Sequence, residues 1–322
     1  MKKLIIIFYI ILFSFLIADG PYSVSSISES DGLRNGPDYN EGVVYYPLDI
    51  EGPLPTIIII PGFSNYVWQI ESWGPYLASY GIVTMFVNVN NIFHTHEYRS
   101  AALLDGLTTI REENFRDESP LFSSLNLEKL AVGGYSMGGG GAQLAAQQDT
   151  SINAVVALSA HLNNSSSSLL NQTPILFISG ELDVIAPNNI HTNIFYNNTP
   201  DTVDKLLFEI DNGSHFTVMA PGNNQAMGQK IVYWIEKYID DDDSNCNTLI
   251  EVPFTASQFL TNIECEEVLL GDLNQDLFIN IQDVILLVNL ILVSEYNDIA
   301  DMNTDNSIDI LDVVIIVDSI LN

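Results

Sequence analysis

Positive charge is scarce in this chain. Of 322 residues only 10 are Lys or Arg, against 41 Asp or Glu, and the formal net charge is −31 at pH 7. A field of that sign repels phosphate backbones and argues against nucleic acid as a partner. It suits a soluble exported protein that lives in salt or binds cations, although a solvated acidic surface accounts for most of it. Cysteine is almost missing, with only Cys246 and Cys265. Neither lies in a nucleophile-like turn, so no thiol nucleophile is expected. Long apolar runs are missing too. The stretch at residues 4–17 is too short for a bilayer span. Lys2 and Lys3 precede it and the small Ala18 follows, the pattern of a signal peptide over residues 1–18. Secretion is therefore expected, with no membrane span in the mature protein. No cysteine stands at the cleavage site to carry a lipid. Export implies an oxidising compartment, in which the two cysteines predict a disulfide; two isolated thiols are the alternative.

Hydrophobic residues make up 47% of the chain, enough for a sizeable core. From Gly42 onward, short apolar runs alternate with helical patterns. The runs are Thr56–Ile60 (TIIII), 82–89, 130–133, 154–158, 174–179 (PILFIS) and Lys205–Ile210 (KLLFEI). Helical periodicity falls at 69–80, 100–113, 140–148 and 224–239. Fully apolar strands alternating with helices predict an α/β fold, a doubly wound, mostly parallel sheet covered on both faces. Ligands then bind beyond the carboxyl ends of the strands. After Cys265 the texture changes to apolar helices separated by Asp/Asn-rich loops.

The stretch GYSMGGGG, residues 134–141, follows the third of these runs. Its glycines lack the Lys-Ser/Thr of a phosphate loop, and the next acid, Asp149, comes too soon for a dinucleotide fingerprint. Gly134 to Gly138 instead match G-x-S-x-G between a strand and a helix, the context of a nucleophile elbow. Ser136 is the candidate nucleophile, with flanking glycines that leave room for a strained turn. A base and an acid must follow it. His215 lies directly after KLLFEI and is the candidate base. His161 precedes the acid, and His191 precedes the last strand. Asp183, just after PILFIS, is the candidate acid; Glu181 competes, and Asp201 and Asp211 are weaker. An oxyanion needs two N–H donors, expected from Met137 and from Phe63 after Pro61-Gly62. His94 and His96 have no third ligand nearby and are expected on a loop surface. Asp240 to Asp243 are expected to be a solvated helix end.

These residues resemble the bacterial cutinase and PET-hydrolase family of α/β-hydrolases, related to dienelactone hydrolase-like proteins. The matching stretches are PGFSN (61–65), WGPYLASYGIV (73–83), GYSMGGGG (134–141), GELDVIAP (180–187), HTNIFYN (191–197) and GSHF (213–216), in the same order. The resemblance covers roughly residues 40–265 of a domain over 19–268. It implies Ser136, Asp183 and His215 as the catalytic residues, Phe63 and Met137 as oxyanion donors, and no catalytic cofactor. It also implies a Cys246–Cys265 disulfide. It implies a shallow groove lined by Phe63, Tyr135, Met137, His161 and Ile185, with His191 and Phe195 behind its wall. The substrate would be an ester or a polyester; lipase and carbohydrate-esterase activities, or a silent adhesion module, are the rivals. One departure stands out: His161 occupies the place where the family usually has Trp.

The tail repeats itself. Asp272, Asn274, Asp276, Asn280 and Asp283 fall at positions 1, 3, 5, 9 and 12 of a loop, with the Phe278 carbonyl at position 7. Asp301, Asn303, Asp305, Asp309 and Asp312 repeat this, with the Ser307 carbonyl at 7. That is the EF-hand oxygen rule with Asp at position 12. Each loop runs into an apolar helix. Two such repeats with no entering helix resemble a type I dockerin, a small all-α domain over 271–322. The resemblance implies two Ca²⁺ ions, a cohesin-bearing partner on a scaffold and attachment to a cell surface. Leu277 stands where Gly usually makes the turn, so the first loop is expected to bind less tightly than the second, which has Asn306 there.

Overall fold

In a computed structural model of the chain, the apolar runs form the middle of a nine-stranded sheet. The described residues are 20–163, 171–265, 269–274 and 276–321. The expected signal peptide lies outside them. The chain divides into two units between Ile263 and Glu264, slightly before the expected boundary.

The strands of the first unit are β1 (Val24–Ser28), β2 (Tyr39–Pro47), β3 (Thr56–Ile60), β4 (Val83–Val89), β5 (Leu130–Tyr135), β6 (Ile152–Leu158), β7 (Ile175–Gly180), β8 (Lys205–Ile210) and β9 (Ala256–Thr261). Their order across the sheet is β1-β2-β4-β3-β5-β6-β7-β8-β9. From β4 to β8 every pairing is parallel. Both faces of these strands are covered, so β3, β4, β5 and β7 are buried at every residue. Each fully buried Ile of β3 contributes roughly 1.5–3 kcal/mol. The outer pairs, β1–β2, β2–β4 and β8–β9, are antiparallel. The apolar-run reading does not find these three strands, because they alternate buried and exposed residues or are only half covered.

Helices α1 (Trp73–Ser79), α2 (His96–Glu113), α3 (Met137–Gln148), α4 (Thr192–Asn198), α5 (Gln225–Ile235) and α6 (Cys246–Ile250) complete the unit. Cys246 opens α6, and Cys246 and Cys265 are disulfide-bonded. Among the described residues no helix is long and apolar enough to cross a membrane.

Helix α3 starts earlier than its periodicity indicates, because all four consecutive glycines lie inside it. Glycine costs up to about 1 kcal/mol in a helix interior. Close approach explains their presence. A Cβ on Gly138 would stand 2.3 Å from the Ile60 carbonyl oxygen, and one on Gly140 would stand 2.2 Å from that of His161. The helix start is thus wedged against the ends of β3 and β6.

In the second unit, helices α7 (Ile281–Val293) and α8 (Ile310–Leu321) follow the two acidic loops. Leu287, Ala300 and Ile316 are fully buried between them. The loops have the same internal bonding. Asp272 accepts from the N–H groups of Asp276 and Leu277, and Asp301 accepts from those of Asp305 and Asn306. Asp283 accepts from Asn274 and Asn280, and Asp312 from Asn303 and Asp309. Leu277 and Asn306, the sixth residue of each loop, both adopt the left-handed conformation, with φ of 67° and 63°.

Candidate active site

Strands β5, β6, β7 and β8 lie side by side and parallel, so their carboxyl ends share one edge of the sheet. Ser136 follows β5, His161 follows β6, Asp183 follows β7 and His215 follows β8. Topology alone therefore gathers residues that are 79 positions apart in the chain.

Only Ser136 separates β5 from α3, and it takes φ 56°, ψ −120°. Such a backbone costs on the order of 1–3 kcal/mol and must be held by its surroundings. Its N–H donates to the Leu158 carbonyl at 2.8 Å. Its own carbonyl accepts from the N–H groups of Gly139 at 3.0 Å and His161 at 2.9 Å. A Cβ on Gly134 would fall 2.3 Å from the Gly138 carbonyl carbon, so this turn requires glycine at position 134.

His215 Nε2 lies 3.0 Å from Ser136 Oγ, and His215 Nδ1 lies 2.7 Å from Asp183 Oδ2. All three side chains are buried. The other carboxylate oxygen of Asp183 accepts from the N–H groups of Ile185 at 2.9 Å and Ala186 at 2.8 Å. Burial by itself would raise the Asp183 pKa. The His215 bond and these N–H groups outweigh it and hold the carboxyl below its ordinary value. With both oxygens bonded, Asp183 can hold the imidazole in a single orientation. Glu181 is engaged elsewhere, accepting from the Asn212 N–H.

The Phe63 N–H has no acceptor among the described residues. Met137 is the first residue of α3, where the N–H has no partner within the helix. Sequence reasoning missed the residue that shapes this loop. Arg99, on α2, is fully buried and donates to the carbonyls of Pro61 at 3.1 Å, Gly62 at 2.7 Å and Ile92 at 3.1 Å, and to that of His94. No carboxylate pairs with it among the described residues, and burial lowers its pKa to about 10. With the Pro61 and Gly62 carbonyls turned toward Arg99, the loop before Phe63 is fixed. A lone Arg just before a helical pattern carries no sequence signal for this task.

The expected groove residues divide. Phe63 and Ile185 are about half exposed, at 47% and 51%, and Met137 and His161 are partly exposed. Phe63 also meets the exposed Phe93 edge-on, with ring centroids 5.5 Å apart. Tyr135 departs from expectation. It is buried as the last residue of β5, and its ring packs 5.0 Å from that of His215. It supports the imidazole from behind and does not face solvent. His191 and Phe195 are buried, with His191 between His161 and Phe195. His96 is a correction as well. Expected on a loop surface, it is buried, because α2 starts four residues earlier than its periodicity suggests and carries His96 inward.

Burial, reinforced by the neighbouring His161, holds both His96 and His191 at pKa values of about 4. The unfolded chain takes up these protons near pH 6.5, before the folded chain does. Stability from these two groups is therefore present above pH 6.5 and is lost as pH falls toward 4. Urea unfolding at pH 7, 5.5 and 4.5 is expected to show a loss of a few kcal/mol. A His191→Gln variant should flatten that slope; an unchanged slope would show that the two rings do not titrate this way.

The fold and this edge of the sheet define a mixed α/β protein with a strained serine beside a buried imidazole and carboxylate. The model of the family described as PETase: PET hydrolase-like matches residues 13–265, and the chain belongs to that family of carboxylic ester hydrolases. Cutinase est1 of Thermobifida alba is 32% identical over 243 residues, 74% of this chain and 77% of that protein. Lipase 1 of Moraxella sp. (strain TA144) is 30% identical over 226 residues, 70% of this chain and 67% of its own length. The bis(hydroxyethyl) terephthalate hydrolase of Streptomyces coelicolor is 31% identical over 225 residues, 69% of each chain. The acidic tail beyond residue 265 lies outside the family match.

Proposed function

We propose that the chain is a secreted serine esterase acting on polyesters or other bulky carboxylic esters. The observation that carries this is the unbroken relay from Asp183 through His215 to Ser136 Oγ. In this reading His215 Nε2 takes the Oγ proton as Oγ attacks the ester carbonyl. The N–H groups of Phe63 and Met137 stabilise the oxyanion, each worth on the order of 10²–10³ in rate. Collapse expels the alcohol, which receives its proton from His215. Water, with His215 as base, then cleaves the acyl-enzyme. Asp183 keeps the imidazole in the required tautomer throughout. The exposed Phe63, Phe93 and Ile185 favour a bulky apolar substrate. His161 in place of Trp removes aromatic stacking area, which weighs against PET as the best substrate.

A fluorophosphonate probe should label Ser136 and no other residue; an unlabelled Ser136 would leave a silent binding module. Product release from polycaprolactone should exceed that from PET film and from acetylated xylan. Release from xylan alone would make the chain a carbohydrate esterase.

For the second unit we infer two Ca²⁺ sites and a cohesin-bearing scaffold as partner, which would hold the enzyme at a cell surface. Residues 264–322 contain no Lys, Arg or His. Asp272, Asp283, Asp301 and Asp312 are nevertheless buried. Buried carboxylates without a cation are costly, and a hard divalent ion would compensate them. Among the described residues no three His, Cys, Asp or Glu side chains converge as a ready-made cluster. Each expected donor set adds neutral oxygens to its carboxylates, Asn274, Asn280 and the Phe278 carbonyl to Asp272, Asp276 and Asp283, and Asn303 and the Ser307 carbonyl to Asp301, Asp305, Asp309 and Asp312, which would have to draw together around an ion. Exposed Ile285, Leu292, Val314 and Leu321 on α7 and α8 suit a protein partner.

A further inference from the structure

Three of the five histidines meet beside Ser136, on three different elements. His96 opens α2, His161 follows β6 and His191 immediately precedes α4. His96 Nε2 lies 3.2 Å from His161 Nδ1. The two ring planes differ by only 7° and their centroids are 5.4 Å apart, so the rings meet edge to edge through that bond. The His191 ring packs 4.4 Å from His161, tilted by 39°. Of the three, only His161 is partly exposed. Its backbone N–H is tied to the Ser136 carbonyl, which pins its main chain beside the nucleophile. A shared chelated metal is not the explanation, since no such cluster exists among the described residues.

We propose that His96 is a positioning residue that locks the tautomer and orientation of His161, and that His161 Nε2 thereby selects esters carrying a hydroxyl near the scissile bond. The inference rests on the esterase reading above. One proton is shared between His96 Nε2 and His161 Nδ1. Whichever ring carries it, His161 is held in one tautomer, and its Nε2 has a single fixed role as donor or acceptor. No other described residue bonds that nitrogen. A hydroxyl can fill either role, but only opposite a ring whose orientation is held, as the His96 bond holds it. A flat apolar ring does neither and gains little stacking from an imidazole. A preset polar partner discriminates more sharply than an apolar wall, because it is left unpaired by the wrong substrate. The site is partly exposed, and water softens that penalty to about tenfold.

Two matched pairs of esters test this. The hydroxyl lies on the acyl side in p-nitrophenyl 3-hydroxybutyrate against p-nitrophenyl butyrate, and on the alcohol side in 2-hydroxyethyl butyrate against propyl butyrate. The full chain should prefer the hydroxylated member of one pair by about tenfold in kcat/KM, mostly through KM. The pair that shows it tells on which side of the ester the hydroxyl is read. His96→Leu should bring that ratio near one, and His96→Gln, whose amide can donate through its nitrogen or accept through its oxygen, should restore most of it. His161→Phe should abolish the ratio. Imidazole ¹⁵N spectra should show one His161 tautomer in the parent and a mixture in His96→Leu. Equal turnover within both pairs, equal effects of Leu and Gln, or an unaltered His161 spectrum in His96→Leu would each overturn the proposal. Should His96→Leu not fold, the His161→Phe ratio and the parent spectrum decide. Failure of the esterase reading looks different: the parent would turn over none of the four esters, while the ¹⁵N spectra would still report on the lock.

Discussion

Replacing Ser136 with alanine is expected to lower kcat for p-nitrophenyl butyrate by a factor on the order of 10⁴–10⁶ while leaving the protein folded. The size follows from the relay. Without Oγ there is no acyl-enzyme, and His215 can only activate water in a site shaped for a serine. What remains comes from the oxyanion donors and from substrate binding. Stability should change little. Alanine keeps the same Cβ at φ 56°, so the backbone strain is neither added nor relieved. Far-UV circular dichroism and a melting curve check the fold, and steady-state kinetics check the rate. Members of one relay act as a unit, so His215→Ala should cost about as much, and the double variant little more. A Ser136→Ala enzyme retaining a tenth of the rate would remove Ser136 from the mechanism.

Chelation of the inferred calcium is expected to unfold the domain at 271–322 while the first unit keeps its melting transition. With saturation on the order of 10³ times Kd, each of the two inferred Ca²⁺ ions would add about 4 kcal/mol to its loop. Removing both leaves Asp272, Asp283, Asp301 and Asp312 buried among like charges, with no basic side chain in the segment to offset them. Calorimetry of the full chain with and without EDTA should show one transition lost and then restored by Ca²⁺. The loops should differ in affinity. Leu277 bears a branched side chain at φ 67°, a conformation costing roughly 1–2 kcal/mol outside glycine. Leu277→Gly should therefore tighten the weaker site by about tenfold. A calorimetric profile indifferent to Ca²⁺ would remove the metal from the account of this unit.

Much of the enzyme-like unit was legible because its signals are local. TIIII, PILFIS and KLLFEI are strands buried on both faces, and such strands announce themselves as unbroken apolar runs. The elbow around Ser136 is equally local, since strand, serine and helix follow one another within a few residues. The two acidic loops declare themselves by spacing and by repetition. The edge strands were harder. β9, ASQFLT, is largely uncovered and shows no run of apolar residues, so nothing in its composition marks it as a strand. Its place follows only from pairing with β8.

Side-chain surroundings were less legible than elements. Tyr135 sits next to the serine in sequence, yet as the last residue of a strand covered on both faces its ring is buried, against His215. His96 and Arg99 lie just before the helical periodicity at 100–113, where nothing gives them special weight. Their tasks come from residues on other elements: His161, 65 positions away from His96, and the Pro61 and Gly62 carbonyls, 38 and 37 positions from Arg99.

The amino-acid sequence by itself determined the parallel sheet, the strand–serine–helix turn at Ser136 and the paired oxygen-rich loops. Each of these is written in contiguous residues whose periodicity or spacing has one physical reading. Only the tertiary structure decided that Tyr135 backs the imidazole, that Arg99 fixes the loop before Phe63, and that His96, His161 and His191 form a row beside Ser136. Buried polar groups must find partners, and those partners come from whichever elements the sheet order brings together.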